Sequence, residues 1–163
     1  MASTQTMNPT HSTGFAPASG PAASVAFAAG TSATRVEYAA LLLRVALGAM
    51  FIAHAALKYF VFTLPGTAQF FGSLGLPPAL GYLTFAAELA GGIAILAGVY
   101  APQVAAALVP VLLGATWAHS GNGWLFNGQG GGWEYPAFLS VAAIVQYLIG
   151  DGAFALRRAG RKA

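Results

Sequence analysis

Four long apolar blocks dominate this chain, separated by stretches rich in Gly, Pro and polar residues. They run from about Tyr38 to Leu57, Ala79 to Gly98, Gln103 to His119 and Tyr135 to Phe154. Each is near the roughly 20 residues that a helix needs to span hydrocarbon. The pattern predicts an all-α integral membrane protein, a bundle of four transmembrane helices. Pro102 suits the start of the third helix, where a missing N–H is harmless. Pro110 lies inside that helix and should kink it. Pro136 suits the first turn of the fourth.

The connections are unequal. Tyr100 to Pro102 is a tight turn. Lys58 to Pro78 is long and encloses Thr67 to Leu74, which is apolar but too short to span; a short interfacial or re-entrant helix is expected there. Ser120 to Glu134 is long and rich in Gly, Asn and Trp. Residues 1–34 are Ala-, Ser-, Thr-, Gly- and Pro-rich and carry no charge. They lack the basic start of a signal peptide and read as a disordered tail. The membrane domain is therefore expected over residues 35–156, with a basic tail over residues 157–163.

Composition agrees with the block pattern. Hydrophobic residues make up 57% and charged residues 7%, against roughly 25% charged in an average soluble domain. The formal charge is +3, and Arg157, Arg158, Arg161 and Lys162 crowd the last seven positions. Beside a membrane helix such a cluster reads as an orientation signal, with no nucleic-acid partner implied. Arg35 adds to that side, and Lys58 stands alone on the other. Both termini are then cytoplasmic and both long loops lie outside. Tyr59, Phe60, Trp117, Trp124, Trp133 and Tyr135 all fall at the outer interface, as an aromatic belt should.

Ionisable groups in a spanning helix are costly and each needs a reason. Arg44 lies roughly 9 Å deep from the cytoplasmic side and Glu88 roughly 14 Å deep from the outer side. In a slab of about 30 Å their axial separation is roughly 7 Å, so the two are expected to pair. Such a pair either fixes helix register or serves a function; Arg44 alone could also snorkel to the interface. Arg44, Gly48, Phe51 and Lys58 share one arc of the first helix, which should face the bundle interior. Gly91 and Gly92 follow Glu88 and let another helix approach closely.

His54, Lys58, His119 and Glu134 form one expected polar cluster at the outer mouth. Glu88, His54 and His119 are the candidates for moving protons. Arg44, Lys58, Asn122, Trp133 and Glu134 are the candidates for contacting a substrate or cofactor. The plainer readings are interfacial hydrogen bonding for the histidines and helix-dipole stabilisation for Glu134. A haem between His54 and His119 is not favoured, because nothing beyond two histidines at similar depth supports it. A zinc site lacks a third good ligand. Gly130 to Gly132 follow no strand, so they are not a nucleotide fingerprint. With no cysteine in the chain, redox chemistry must come from a bound cofactor or a partner.

Several segments resemble the DoxX family: Leu43-Arg44-Val45-Ala46-Leu47-Gly48 followed by His54 and Lys58, Gly72 to Pro77, Ala87-Glu88-Leu89-Ala90-Gly91-Gly92, Asn122-Gly123, and Gly132-Trp133-Glu134-Tyr135-Pro136. The resemblance covers about Arg35 to Phe154. It implies a four-helix protein of the bacterial inner membrane. Some relatives are linked to thiosulfate:quinone oxidoreductase, and others look like membrane anchors for redox or oxidative-stress enzymes. Three functions follow. The chain is a membrane subunit of an oxidoreductase that binds a quinone or small reductant near the outer face; or a scaffold whose tails dock a redox enzyme; or a small transporter acting as a homo-oligomer.

Overall fold

The computed structural model describes the backbone of residues 21–157 and the side chains of residues 35–157. Helix α1 (Pro21–Ala56) runs into a π-helical turn (Leu57–Val61). Then come α2 (Leu64–Ser73), α3 (Ala79–Ala97), α4 (Ala101–His119), a 3-10 turn (Ser120–Asn122) and α5 (Glu134–Ile149). Among the described residues, three helical stretches are long and apolar enough to cross a membrane: Arg35–Val61, Ala79–Ala97 and Ala101–Asn122. The short helix expected in the first long connection is α2.

Two boundaries differ from the sequence reading. Helix α1 already begins at Pro21, so the expected disordered tail does not extend over residues 21–34. Alanine, the strongest helix former, recurs through that stretch. The expectation for residues 1–20 lies outside the described residues, as does that for the basic tail from Arg158 on. At the other end α5 stops at Ile149 rather than near Phe154, because Gly150 takes φ 92° and breaks the helix. With 16 residues, α5 is about 24 Å long, short of a bilayer core of about 30 Å.

Helices α1 and α3 pack antiparallel through glycine. A Cβ on Gly48 would lie 2.8 Å from the Leu96 backbone nitrogen, and one on Gly92 would lie 3.0 Å from the Ile52 nitrogen. Small residues let the two backbones approach, which is how helices associate where lipid removes the hydrophobic drive. Gly91 points the other way, against Leu108 and Val104 of α4. The buried core comprises Leu47, Phe51, Ile95, Leu108, Leu112 and Leu139 with small alanines between. The outer surface is apolar too: Leu42, Leu83, Phe138 and Leu148 are all largely exposed, as lipid-facing side chains are.

Residues 150–157 form a strap across one end of the bundle. The Ala153 N–H donates to the Glu37 carbonyl, the Leu156 N–H to Ala97 and the Arg157 N–H to Gly98. Val99 and Arg157 make a parallel bridge. Buried Arg44 holds the strap from inside, donating to the Asp151 carbonyl at 3.0 Å and the Ala153 carbonyl at 3.2 Å. Between this end and the site at the opposite end, Leu47, Phe51, Ile95 and Leu108 fill the interior.

Candidate functional site

The site grows out of the last turn of α1. There the helix widens into the π-turn, which carries Lys58. Lys58 Nζ donates to Glu88 Oε2 of α3 at 2.7 Å, and the two side chains are 17% and 8% exposed. One turn earlier, His54 Nδ1 bonds the Met50 carbonyl at 2.9 Å. A carbonyl only accepts, so Nδ1 carries the proton and Nε2 is the acceptor of the neutral ring. The His54 ring stacks on Tyr135 of α5, centroids 5.6 Å apart. The Tyr135 hydroxyl is shielded from solvent and has no hydrogen-bond partner among the described residues.

Tyr135 also lines a cleft of about 520 Å³ with Trp124, Phe126, Glu134, Phe138 and Val141. Phe138 and Val141 are exposed on the outer face of α5, so the cleft opens toward the lipid side. The volume is in the range of small-molecule sites, and the lining is apolar as such sites are.

The chain leaves α1 under strain. Thr63 has φ 60° and ψ 155° while its hydroxyl accepts from the Gly66 N–H at the start of α2. That conformation is nearly confined to glycine. A π-turn followed by a strained residue turns the backbone sharply just beyond Lys58, and both features concentrate at functional sites.

The expected Arg44–Glu88 pair does not form. Glu88 pairs with Lys58, and Arg44 lies against Gly98 at the far end of α3. The glycine contacts set the register: Ile52 meets Gly92, so residues 54 to 56 come level with Glu88. Arg44 is then about ten residues away along α3, or roughly 15 Å, twice the separation that depth counting gave. The error lay in taking both helices to start flush with a bilayer face, when Arg44 is level with the last turn of α3.

The members of the expected outer cluster make separate contacts. His54 stacks on Tyr135 and Lys58 pairs with Glu88, and among the described residues no hydrogen bond or ring contact joins these two pairs. His119 Nδ1 bonds the Gly130 carbonyl at 3.1 Å and its ring stacks on Phe70 of α2. Asn122 donates to that same carbonyl at 2.9 Å. Glu134 accepts from the Phe126 N–H at 2.9 Å, and Trp133 meets Trp124 edge-on at 4.5 Å. Among the described residues, no hydrogen bond or ring contact joins His119, Asn122 or Glu134 to His54, Lys58 or Glu88. These side chains shape the α4–α5 loop, and that loop presents Trp124 and Phe126 to the cleft. Sequence reasoning placed Tyr135 only in the aromatic belt. Its signal was its position in the first turn of α5, at the depth of His54.

The DoxX family profile matches residues 39–121, half of the chain. The chain belongs to the DoxX family. With its long apolar helices it is a membrane protein. The matched region of this DoxX protein holds Arg44, His54, Lys58, Glu88 and His119, while α5 with Tyr135 lies beyond it. A Bacillus subtilis (strain 168) protein named "Putative oxidoreductase CatD" is 39% identical over 79 residues, which is 48% of this chain and 58% of that relative. The chain thus matches little more than half of that protein's length. No solved structure matches the chain.

Proposed function

We propose that this DoxX protein is the membrane component of an oxidoreductase system and binds a quinone-type ring in the cleft beside Tyr135. One observation carries the reading: Tyr135 belongs both to the apolar cleft and to the stack with His54, so a lipid-side binding space adjoins an ionisable side chain of α1. Trp124, Phe126 and Phe138 would hold the ring. Glu134 and Tyr135 are the lining residues with polar side chains, and the Tyr135 ring leads on to His54. Reduction of a quinone needs two electrons and two protons. The chain has no cysteine to form a dithiol couple, and in this proposal the electrons come from a partner redox enzyme. His54 Nε2 would exchange a proton with the ring, and the Glu88 carboxyl, which accepts from Lys58 at 2.7 Å, would exchange protons further along the bundle. The similarity to a relative named as an oxidoreductase supports the reading.

In this proposal α5 and the strap together make a fourth crossing, both termini face the cytoplasm, and the membrane is the bacterial inner membrane. The test is titration of the purified protein with a soluble quinone analogue, read by quenching of Trp124 and Trp133. Saturable quenching that weakens in Phe138→Ala and Tyr135→Phe is expected. No saturable binding, together with an unchanged respiratory phenotype for Glu88→Gln, would sink it.

A further inference from the structure

The strap end of the bundle carries an unusual charge distribution. Among the described residues, the charged side chains that are exposed are Arg35 and Arg157, and both lie at this end. The acidic residues here are withdrawn: Glu37 is half-buried and Asp151 is buried. Arg157 is held in place from two sides. Its backbone pairs with Gly98 and Tyr100, and its guanidinium lies 4.9 Å from the centroid of the Tyr100 ring. The chain then continues with Arg158, Arg161 and Lys162.

The strap itself is two-sided. Ala155 packs inward against Gly98. Phe154 and Leu156, on either side of it, are 74% and 78% exposed. Phe154 reaches that position with φ 54°, a left-handed conformation that costs free energy for a bulky residue. Within the protein its return is one tilted contact with half-exposed Tyr38 at 6.3 Å. Exposed apolar side chains followed by Arg157, beside Tyr38 and Tyr100, match the layering of a bilayer interface: acyl chain, aromatic belt, phosphate.

We propose that this end is a binding surface for anionic phospholipid. The headgroup phosphates meet Arg35 and Arg157, while Phe154 and Leu156 insert among the acyl chains. Arginine suits this ligand because its planar fork matches phosphate oxygens. Clustered cations next to a membrane helix attract anionic lipid by about fivefold per residue near the surface. The lipid also has a structural effect. The strap it presses down is the one that Arg44 grips from inside, so bound lipid tightens the end of α1 against α3. The proposal does not depend on the redox reading.

The experiment is native mass spectrometry of the full chain from micelles carrying phosphatidylglycerol or phosphatidylcholine at equal concentration. Phosphatidylglycerol should be retained preferentially, and raised salt should erode the preference. Arg35→Gln with Arg157→Gln should reduce it by about twenty-fivefold at fivefold per cation, and Arg157→Lys should preserve most of it. Phe154→Ser with Leu156→Ser should weaken retention of both lipids. Equal retention of the two lipids by the unaltered chain overturns the proposal without reference to any variant. Displacement of the bound species by millimolar inorganic phosphate overturns it too, since the site would then be for free phosphate.

Discussion

Gly48 of α1 and Gly92 of α3 face each other so closely that a Cβ on either would lie 3.0 Å from the other's carbonyl oxygen. This reciprocal contact sets the spacing and register of the two helices. Alanine at Gly48 gains about 0.5–1 kcal/mol of helix propensity. Overpacking against backbone that cannot yield costs about 1–3 kcal/mol. The clash should win, with a net loss of about 1–2 kcal/mol in unfolding titrations from detergent micelles. Gly114→Ala, where a Cβ meets nothing within 4 Å, should be neutral or stabilising. Equal behaviour of the two variants would refute the register argument.

Lys58 and Glu88 should be energetically coupled. Removing one partner of a buried pair costs about 3–5 kcal/mol. Lys58 is 17% exposed, so Lys58→Met or Glu88→Gln should cost less, roughly 2–3 kcal/mol. The double variant Lys58→Met with Glu88→Gln strands neither charge and should lose less than the sum of the two. Arg44→Gln combined with Glu88→Gln should be additive, since those residues share no partner. A double-mutant cycle decides both points, and additivity for Lys58 and Glu88 would contradict the site geometry.

Arg44 should act on the strap and on nothing near Glu88. Arg44→Lys keeps the charge but cannot reach two carbonyls with a planar fork. Losing one hydrogen bond from a charged donor costs about 1.5 kcal/mol, or tenfold in a local opening equilibrium. Hydrogen exchange should therefore rise about tenfold at the Ala153, Leu156 and Arg157 amides, which bond Glu37, Ala97 and Gly98. Exchange near Lys58 should stay as it is. Unaltered strap exchange would count against the clamp.

Thr63→Gly should stabilise the protein. The residue's backbone conformation costs about 1–3 kcal/mol for a non-glycine. Replacing the cap on the Gly66 N–H with glycine loses only a few tenths of a kcal/mol. A gain of about 1 kcal/mol or more is expected in thermal melts. A loss would mean that the hydroxyl matters more than the strain.

Much of this was legible in the sequence. The bounds of α3 and the α3–α4 turn follow from apolar runs with Gly98 at φ 70° and Pro102 as punctuation. The packing roles of Gly91 and Gly92 were legible too, because small residues at that spacing have few other uses in lipid. The partner of Glu88 was not. Depth counting assumes that helices start together at a membrane face, whereas register is set by side-chain contact, here at Gly48 and Gly92. The contacts within the outer cluster were not legible for a related reason. His119, Asn122 and Glu134 share a depth with His54 but spend their hydrogen bonds on carbonyl and amide groups of one loop. Sequence shows which polar groups lie at a level, and only the fold shows which backbone groups claim them.

The apolar layer of Leu47, Phe51, Ile95 and Leu108 has an electrical consequence. Its own side chains are all apolar, and they hold the Arg44 charge apart from the Lys58–Glu88 pair. On the proposed reading, protons that serve the cleft would be exchanged at the His54 end and not through this layer.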